Sequence, residues 1–190
     1  CLMYRGRKPE MKRVLLFFAD GTEEIEALTP VDILRRAGAE VTIAGVGGLH
    51  LTGSHGIHVA ADASAEDIRP GEFDMVILPG GMPGAKNLDA SPEVERCLAD
   101  VSACGGFLAA ICAAPMVLGR LGYLSGKNAV CYPGFESSLA GAVLSDKKVC
   151  RDGTVITAVG AGAAMEFALT LVEALFGKQK SETLRKSVLA

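Results

Sequence analysis

The sequence predicts an α/β protein with a parallel sheet covered by helices on both faces. Two observations predict it. Short apolar runs at residues 14–18, 73–78 (interrupted only by Asp74) and 107–111 lack the alternation of a half-exposed strand and read as strands buried on both sides. Segments with apolar residues at helical spacing separate them, and strands alternating with helices build parallel sheets. The composition agrees: 49% apolar and 22% charged residues with 23 glycines belong to a compact chain, not a disordered one.

The 190 residues fit one domain, large enough to bury roughly 70% of the unfolded surface without staples. We expect that domain over residues 11–190. Residues 1–10 are polar, lack periodicity and precede Met11, which reads as an extension outside the fold. A net charge of −3 with scattered Lys and Arg argues against nucleic acid as a main partner. No apolar run reaches the ~18 residues of a membrane span and no signal peptide precedes the first strand, so the expected setting is the cytoplasm, off the membrane. The six cysteines show no CxxC and no paired spacing, which fits a reducing compartment and gives no zinc motif.

In chain order, the strand at 14–18 ends in Asp20-Gly21-Thr22, where Thr22 is placed to cap a helix with Glu23 and Glu24 in its first turn. Ile25, Leu28, Val31, Ile33 and Leu34 carry that helix to about Arg36; Gly38 stops it, and Pro30 should kink or split it. A strand at 41–44 leads to a glycine-rich loop at 45–56 with room for a small hairpin before 57–60. The strand at 73–78 runs into Pro79-Gly80-Gly81-Met82-Pro83-Gly84. Ser91 caps a helix opened by Pro92. Short strands follow near 129–131 and 148–150, then a turn at 151–153 and a strand at 155–158. Gly160-Ala161-Gly162 opens an amphipathic helix, and a polar helix at 181–189 closes the chain.

Chemistry concentrates at Cys112. The apolar strand at 107–111 ends there, and Pro115, tolerated only in a helix's first turn, marks a helix just beyond. A cysteine at that strand-to-helix turn resembles a nucleophile elbow, with the helix N-terminus favouring its thiolate. The other cysteines lack that position. Gly80 and Gly81 follow another strand and can aim amides at a developing oxyanion, or serve only as a tight turn. Glu23 and Glu26 are three residues apart on one helix face, and spacing leaves open which one meets the cysteine. Glu23 and Glu24 read as acids that favour the helix dipole. His50, His55 and His58 fall in the hairpin region without a carboxylate at metal-binding spacing.

The segments Gly21-Thr22-Glu23-Glu24-Ile25-Glu26, Pro30-Val31-Asp32, Arg35-Arg36-Ala37-Gly38, Leu78-Pro79-Gly80-Gly81, Ala110-Ile111-Cys112-Ala113-Ala114-Pro115 and Glu166-Phe167-Ala168 occur in the order of the ThiJ/PfpI superfamily. The chain resembles its branch of the Parkinson-disease-associated protein deglycase and bacterial relatives. That resemblance implies a flavodoxin-like three-layer sandwich and a homodimer. It maps the nucleophile onto Cys112, the protonated acid that donates to its sulfur onto Glu26, and the oxyanion amides onto the Gly80–Gly81 turn and Ala113. Glu26 should then be raised in pKa and Cys112 lowered, the two titrating as a unit.

Two departures stand out. The family's histidine before a proline is Tyr132 here, a poor base at neutral pH that can line the pocket. Its Ser-Arg-Gly is Ser54-His55-Gly56, which offers His55 to a neighbouring pocket. Arg36 is carried over as a further pocket position. The implied activity is cofactor-independent glyoxalase or deglycase chemistry on small dicarbonyls or glycated adducts. The second reading is a redox-responsive stress protein or holdase chaperone in which Cys112 is oxidised.

Overall fold

The structure, a computed structural model, describes residues 11–69 and 71–190. The extension read at 1–10 lies outside the described residues. Its centre is a seven-stranded sheet built from β1 (Arg13–Ala19), β2 (Glu40–Val46), β5 (Ala63–Ser64), β6 (Met75–Leu78), β7 (Phe107–Ile111), β10 (Val149–Asp152) and β11 (Val155–Ala158). They lie in the order β10-β11-β7-β6-β1-β2-β5, and only β10 runs antiparallel to its neighbour. The five central parallel strands have the flavodoxin-like order, and the chain reverses direction across the sheet between β1 and β6. Ligands in open α/β sheets bind outside the carboxyl ends of strands at such a switch point.

Side-chain alternation on β1 sorts the two layers. Val14, Leu16 and Phe18 pack toward α1 (Glu24–Ala37), α5 (Ala164–Phe176) and α6 (Lys178–Ser187). Leu15, Phe17 and Ala19 pack toward α2 (Gly84–Asp89), α3 (Pro92–Ala103) and α4 (Pro115–Arg120). A strand buried on both faces has no polar side to show, which is why its run of residues read as unbroken apolar sequence. Two small ladders complete the fold: the hairpin of β3 (His50–Thr52) and β4 (His58–Ala60), and β8 (Asn128–Ala129) beside β9 (Val143–Leu144).

Several boundaries differ from the sequence reading. Helix α1 runs unbroken through Pro30, so the proline does not split it. Its cap is Glu23, whose side chain accepts from the Glu26 N–H at 2.7 Å. Thr22 instead closes the preceding turn: its hydroxyl accepts from the Ala19 N–H at 3.1 Å while its own N–H donates to the Ala19 carbonyl. Helix α2 and edge strand β5 are too short for periodicity to reveal. Helix α6 begins at Lys178, held by the buried Ser181 hydroxyl donating to the Leu169 carbonyl at 2.8 Å.

Thr22 is fully buried at the turn that aims α1. Replacing it by Val leaves the Ala19 N–H without its acceptor, and Thr22→Val should cost about 1–3 kcal/mol in urea unfolding. A loss below about 0.5 kcal/mol would show that the turn holds without that bond.

Candidate active site

Three loops at strand carboxyl ends converge at the switch point: the turn from β1 into α1, the Pro79–Gly81 turn after β6, and the elbow after β7. The elbow is left-handed at Cys112, with φ 66°, a conformation that costs a non-glycine residue on the order of 1–3 kcal/mol. The Ala158 carbonyl accepts from the Cys112 N–H at 2.9 Å, and the Cys112 carbonyl accepts from the Tyr132 N–H at 2.8 Å. These bonds pin both sides of the strained residue. Pro115 opens α4 as expected, although that helix spans only six residues.

Glu26 meets the cysteine. Its carboxyl is 1% exposed and shares a hydrogen bond with Cys112. The Gly80 N–H donates to Glu26 Oε2 at 2.9 Å, and the Ala161 N–H also donates to this carboxyl. Gly80 therefore holds the acid and is not an oxyanion donor. The Gly81 and Ala113 amides are the ones directed at the sulfur. Gly80 is required by space: a Cβ there would stand 2.6 Å from both Cys112 Cβ and Glu26 Oε2. Gly81 is a conformational requirement, with φ 85°.

Burial pushes Glu26 up to about 7, helped by the nearby charge of Glu23. Burial also pushes the Cys112 thiol up, to about 12, and the Glu26 charge and hydrogen bond add to it; the Gly81 and Ala113 amides pull the other way. The expected low-pKa cysteine is thus corrected. A half-buried sulfur facing an ionised carboxylate resists a second negative charge, and a six-residue helix beyond the elbow does not outweigh this. The pair instead carries one charge above pH 7. Moving the thiol proton to Glu26 places that charge on sulfur at no cost of a second one.

The pair opens into a cavity of about 510 Å³. Ile25, Ile57 and Ala161 give it apolar walls, and Glu23, Glu24, His55 and Tyr132 the polar ones. Tyr132 is half-exposed, its ring beside Gly160. His55 lies in the same cavity as its own chain's Cys112, without need of a neighbouring molecule. Its Nδ1 is 2.9 Å from Glu24 Oε2. Arg36 does not line the cavity: it sits on the last turn of α1, roughly 15 Å along the axis from Glu26, and pairs with Asp32 at 2.7 Å.

Glu24 was missed as a site residue. It is 4% exposed and accepts from the His55 N–H at 2.8 Å and the Ile57 N–H at 3.3 Å, besides the His55 ring. Burial alone would raise its pKa, but these bonds hold it at about 2. The available signal was register: Glu24 shares a helical stripe with Ala27, Val31 and Leu34. Glu23, Glu24 and His55 each bring a ligand atom within 4.8 Å of the others, supplying the carboxylates that sequence spacing lacked. With Glu24 already accepting four hydrogen bonds, the Ser54 hydroxyl included, this cluster reads as a closed polar clamp.

Residues 12–174 match the DJ-1/PfpI family. The chain belongs to that family. It is 40% identical to Drosophila melanogaster protein dj-1beta over 181 residues, covering 94% of this chain and 97% of that one. It is 34% identical to the Caenorhabditis elegans glutathione-independent glyoxalase DJR-1.2 over 175 residues, covering 91% and 93%. With Arabidopsis thaliana protein DJ-1 homolog B the identity is 42% over 173 residues, but the chain spans only 40% of that protein's length. Among solved structures, oxidized Toxoplasma gondii DJ-1 superposes with a TM-score of 0.90 at 37% identity, covering 94% of this chain and 98% of that one. Among the described residues, no helix is long and apolar enough to cross a membrane.

Two measurements test the pair. Alkylation of Cys112 by iodoacetamide, followed by peptide mass, should speed up as pH rises through about 7, where the pair gains its charge. In Glu26→Gln that rise should move above pH 9, since burial still opposes the lone thiolate; an unmoved profile would separate Cys112 reactivity from Glu26. The folded carboxyl keeps its proton to about 7 while an unfolded one loses it near 4.5. Between those values the fold loses stability as pH rises, on the order of 3 kcal/mol. Glu26→Gln should therefore gain stability relative to wild type at pH 8 compared with pH 4, measured by urea midpoints.

Proposed function

We propose that this protein is a cofactor-independent glyoxalase of the glutathione-independent type, with deglycation of thiol or amine adducts as the same chemistry begun from a later intermediate. The observation that carries this reading is the Cys112–Glu26 pair, one shared proton and one charge at the floor of an open cavity. The relationship to the C. elegans glyoxalase supports it.

Cys112 passes its proton to Glu26 and attacks the aldehyde carbon of methylglyoxal. The Gly81 and Ala113 amides, which favour the charged sulfur at rest, stand ready for the oxygen of the hemithioacetal as it develops charge. Glu26 gives the thiol proton to the hemithioacetal oxygen, and the carboxylate so freed removes the proton on the former aldehyde carbon. As the hydroxyl proton of the resulting enediolate passes to the neighbouring oxygen, Glu26 delivers its proton to the adjacent carbon. A base near pKa 7 suits this two-way transfer at neutral pH. The result is a lactoyl thioester on Cys112, which water releases as lactate. One carbon is oxidised and its neighbour reduced, so the conversion needs no external oxidant.

One observation favours a second reading. Cys112 is half-buried in contact with the cavity, whereas Cys97, Cys131 and Cys150 are buried. Reversible oxidation of Cys112 would suit a redox-responsive stress protein or holdase, and an oxidised relative is among the structures this chain resembles.

Incubation with methylglyoxal and enantiomer-resolved detection of lactate tests the first reading. Wild type should form lactate, and Cys112→Ala should lose at least about 100-fold of that rate. Lactate formed equally by both would end the glyoxalase reading. Mild peroxide followed by intact mass tests the second: oxygen should add at Cys112 ahead of Cys104, and equal addition at both would count against it.

A further inference from the structure

We propose that His55, oriented by Glu24, is a second general base of this site and takes a proton from the water that hydrolyses the Cys112 thioester. This rests on the glyoxalase reading above and supplies the step that Glu26 is badly placed to perform. Glu26 is only 1% exposed, with the Gly80 and Ala161 amides and the cysteine already upon it. A water approaching the thioester from the cavity mouth must find another base, and a phenol such as that of Tyr132 is a poor one.

His55 fits by chemistry and by placement. Glu24 is buried, and three donors besides the imidazole fix its carboxylate: the His55 and Ile57 N–H groups and the Ser54 hydroxyl. Gly53 admits this close approach, since a Cβ there would collide with the Glu24 carboxyl. An anchored carboxylate 2.9 Å from Nδ1 sets the neutral ring's proton on that nitrogen. The lone pair is left on Nε2, the arrangement that a carboxylate gives to the imidazole of a hydrolytic triad. The ring is otherwise exposed and lines the cavity that contains Cys112.

The charged and titratable groups around it are few. From the start of α1 come Glu24 and Glu23, the latter with Oε1 3.9 Å from Nδ1. Glu26, Cys112 and Tyr132 share the cavity, and His58 on the hairpin is turned to Thr52. Glu24 and Glu23 hold the His55 pKa above its ordinary 6.5. In the step itself, an O–H bond of water breaks and its proton goes to Nε2 as the oxygen bonds the thioester carbon. The C–S bond then breaks, and its electron pair returns to Cys112 Sγ.

The test is the pH dependence of deacylation. Once Cys112 is acylated its proton no longer enters the titration, so decay of the adduct, followed by quenched intact mass after a methylglyoxal pulse, isolates this step. In wild type the decay should accelerate with pH through a value above 6.5. His55→Gln should slow it about 100-fold and accumulate adduct, with the rate of Cys112 alkylation unchanged as proof of an intact pair. Glu24→Gln keeps the imidazole and should move the rise to lower pH, which a purely structural role would not do. Wild-type decay in His55→Gln, or slower turnover without accumulated adduct, overturns the role of His55 alone. Absence of both adduct and Cys112-dependent lactate in wild type overturns the glyoxalase reading and this inference with it.

Discussion

Two acidic groups sharing one charge, the carboxyl almost wholly buried against the sulfur, is the constraint on which this site depends. Neither Glu26 nor Cys112 can ionise independently, because each is buried against the other. Everything around them serves that shared state. Gly80 gives up a side chain so the carboxyl and the sulfur can touch, and it lends its amide to the carboxyl. The elbow holds Cys112 in a left-handed conformation with bonds from both sides. Donors at both ends of the shared proton keep the two arrangements, charge on oxygen and charge on sulfur, within reach of each other.

The sheet order makes this meeting possible. Glu26 follows β1, Gly80 follows β6 and Cys112 follows β7, three adjacent strands whose carboxyl ends face the same way. Helix α1 must leave β1 toward one layer while α2 leaves β6 toward the other, and the gap between those departures is the cavity's floor. The short turn at Thr22 determines where along α1 a residue will face the elbow.

Much of this was legible in sequence, for stated reasons. Core strands announce themselves as unbroken apolar runs, and Pro115 dates the turn after Cys112 to within a residue or two. Glu26 over Glu23 was not decidable from spacing, since residues three apart share a helix face. What separates them is that Glu23 is not helical: it caps α1 with extended backbone and folds its side chain onto the Glu26 N–H. The distinct duties of Gly80 and Gly81 were also hidden, because a pair of glycines reads the same whether space or a positive φ demands it. Arg36 entered on family resemblance alone, and helix geometry put it beyond reach of the pocket. The cysteine's raised pKa could not have been read from the elbow motif, because burial and a facing carboxylate are long-range facts.

Three glutamates within four residues show how environment, not residue type, assigns the chemistry. Glu23 satisfies a helix terminus. Glu24 and Glu26 are both almost wholly buried, yet the first is held at about 2 and the second raised to about 7. The difference is what each is buried among. Glu24 faces backbone N–H groups, a hydroxyl and an imidazole, all able to donate to a carboxylate, so ionisation is rewarded. Glu26 has a thiol and the Glu23 charge beside it, and two amides do not offset its burial. Environments that push like groups apart in pKa are how one fold obtains a fixed anion and a mobile proton at the same pH. Here the fixed anion orients an imidazole and the mobile proton serves the sulfur. On the role proposed for His55, a chain with Tyr132 where the family resemblance implies a histidine still holds two proton carriers in one cavity, the second supplied by the hairpin.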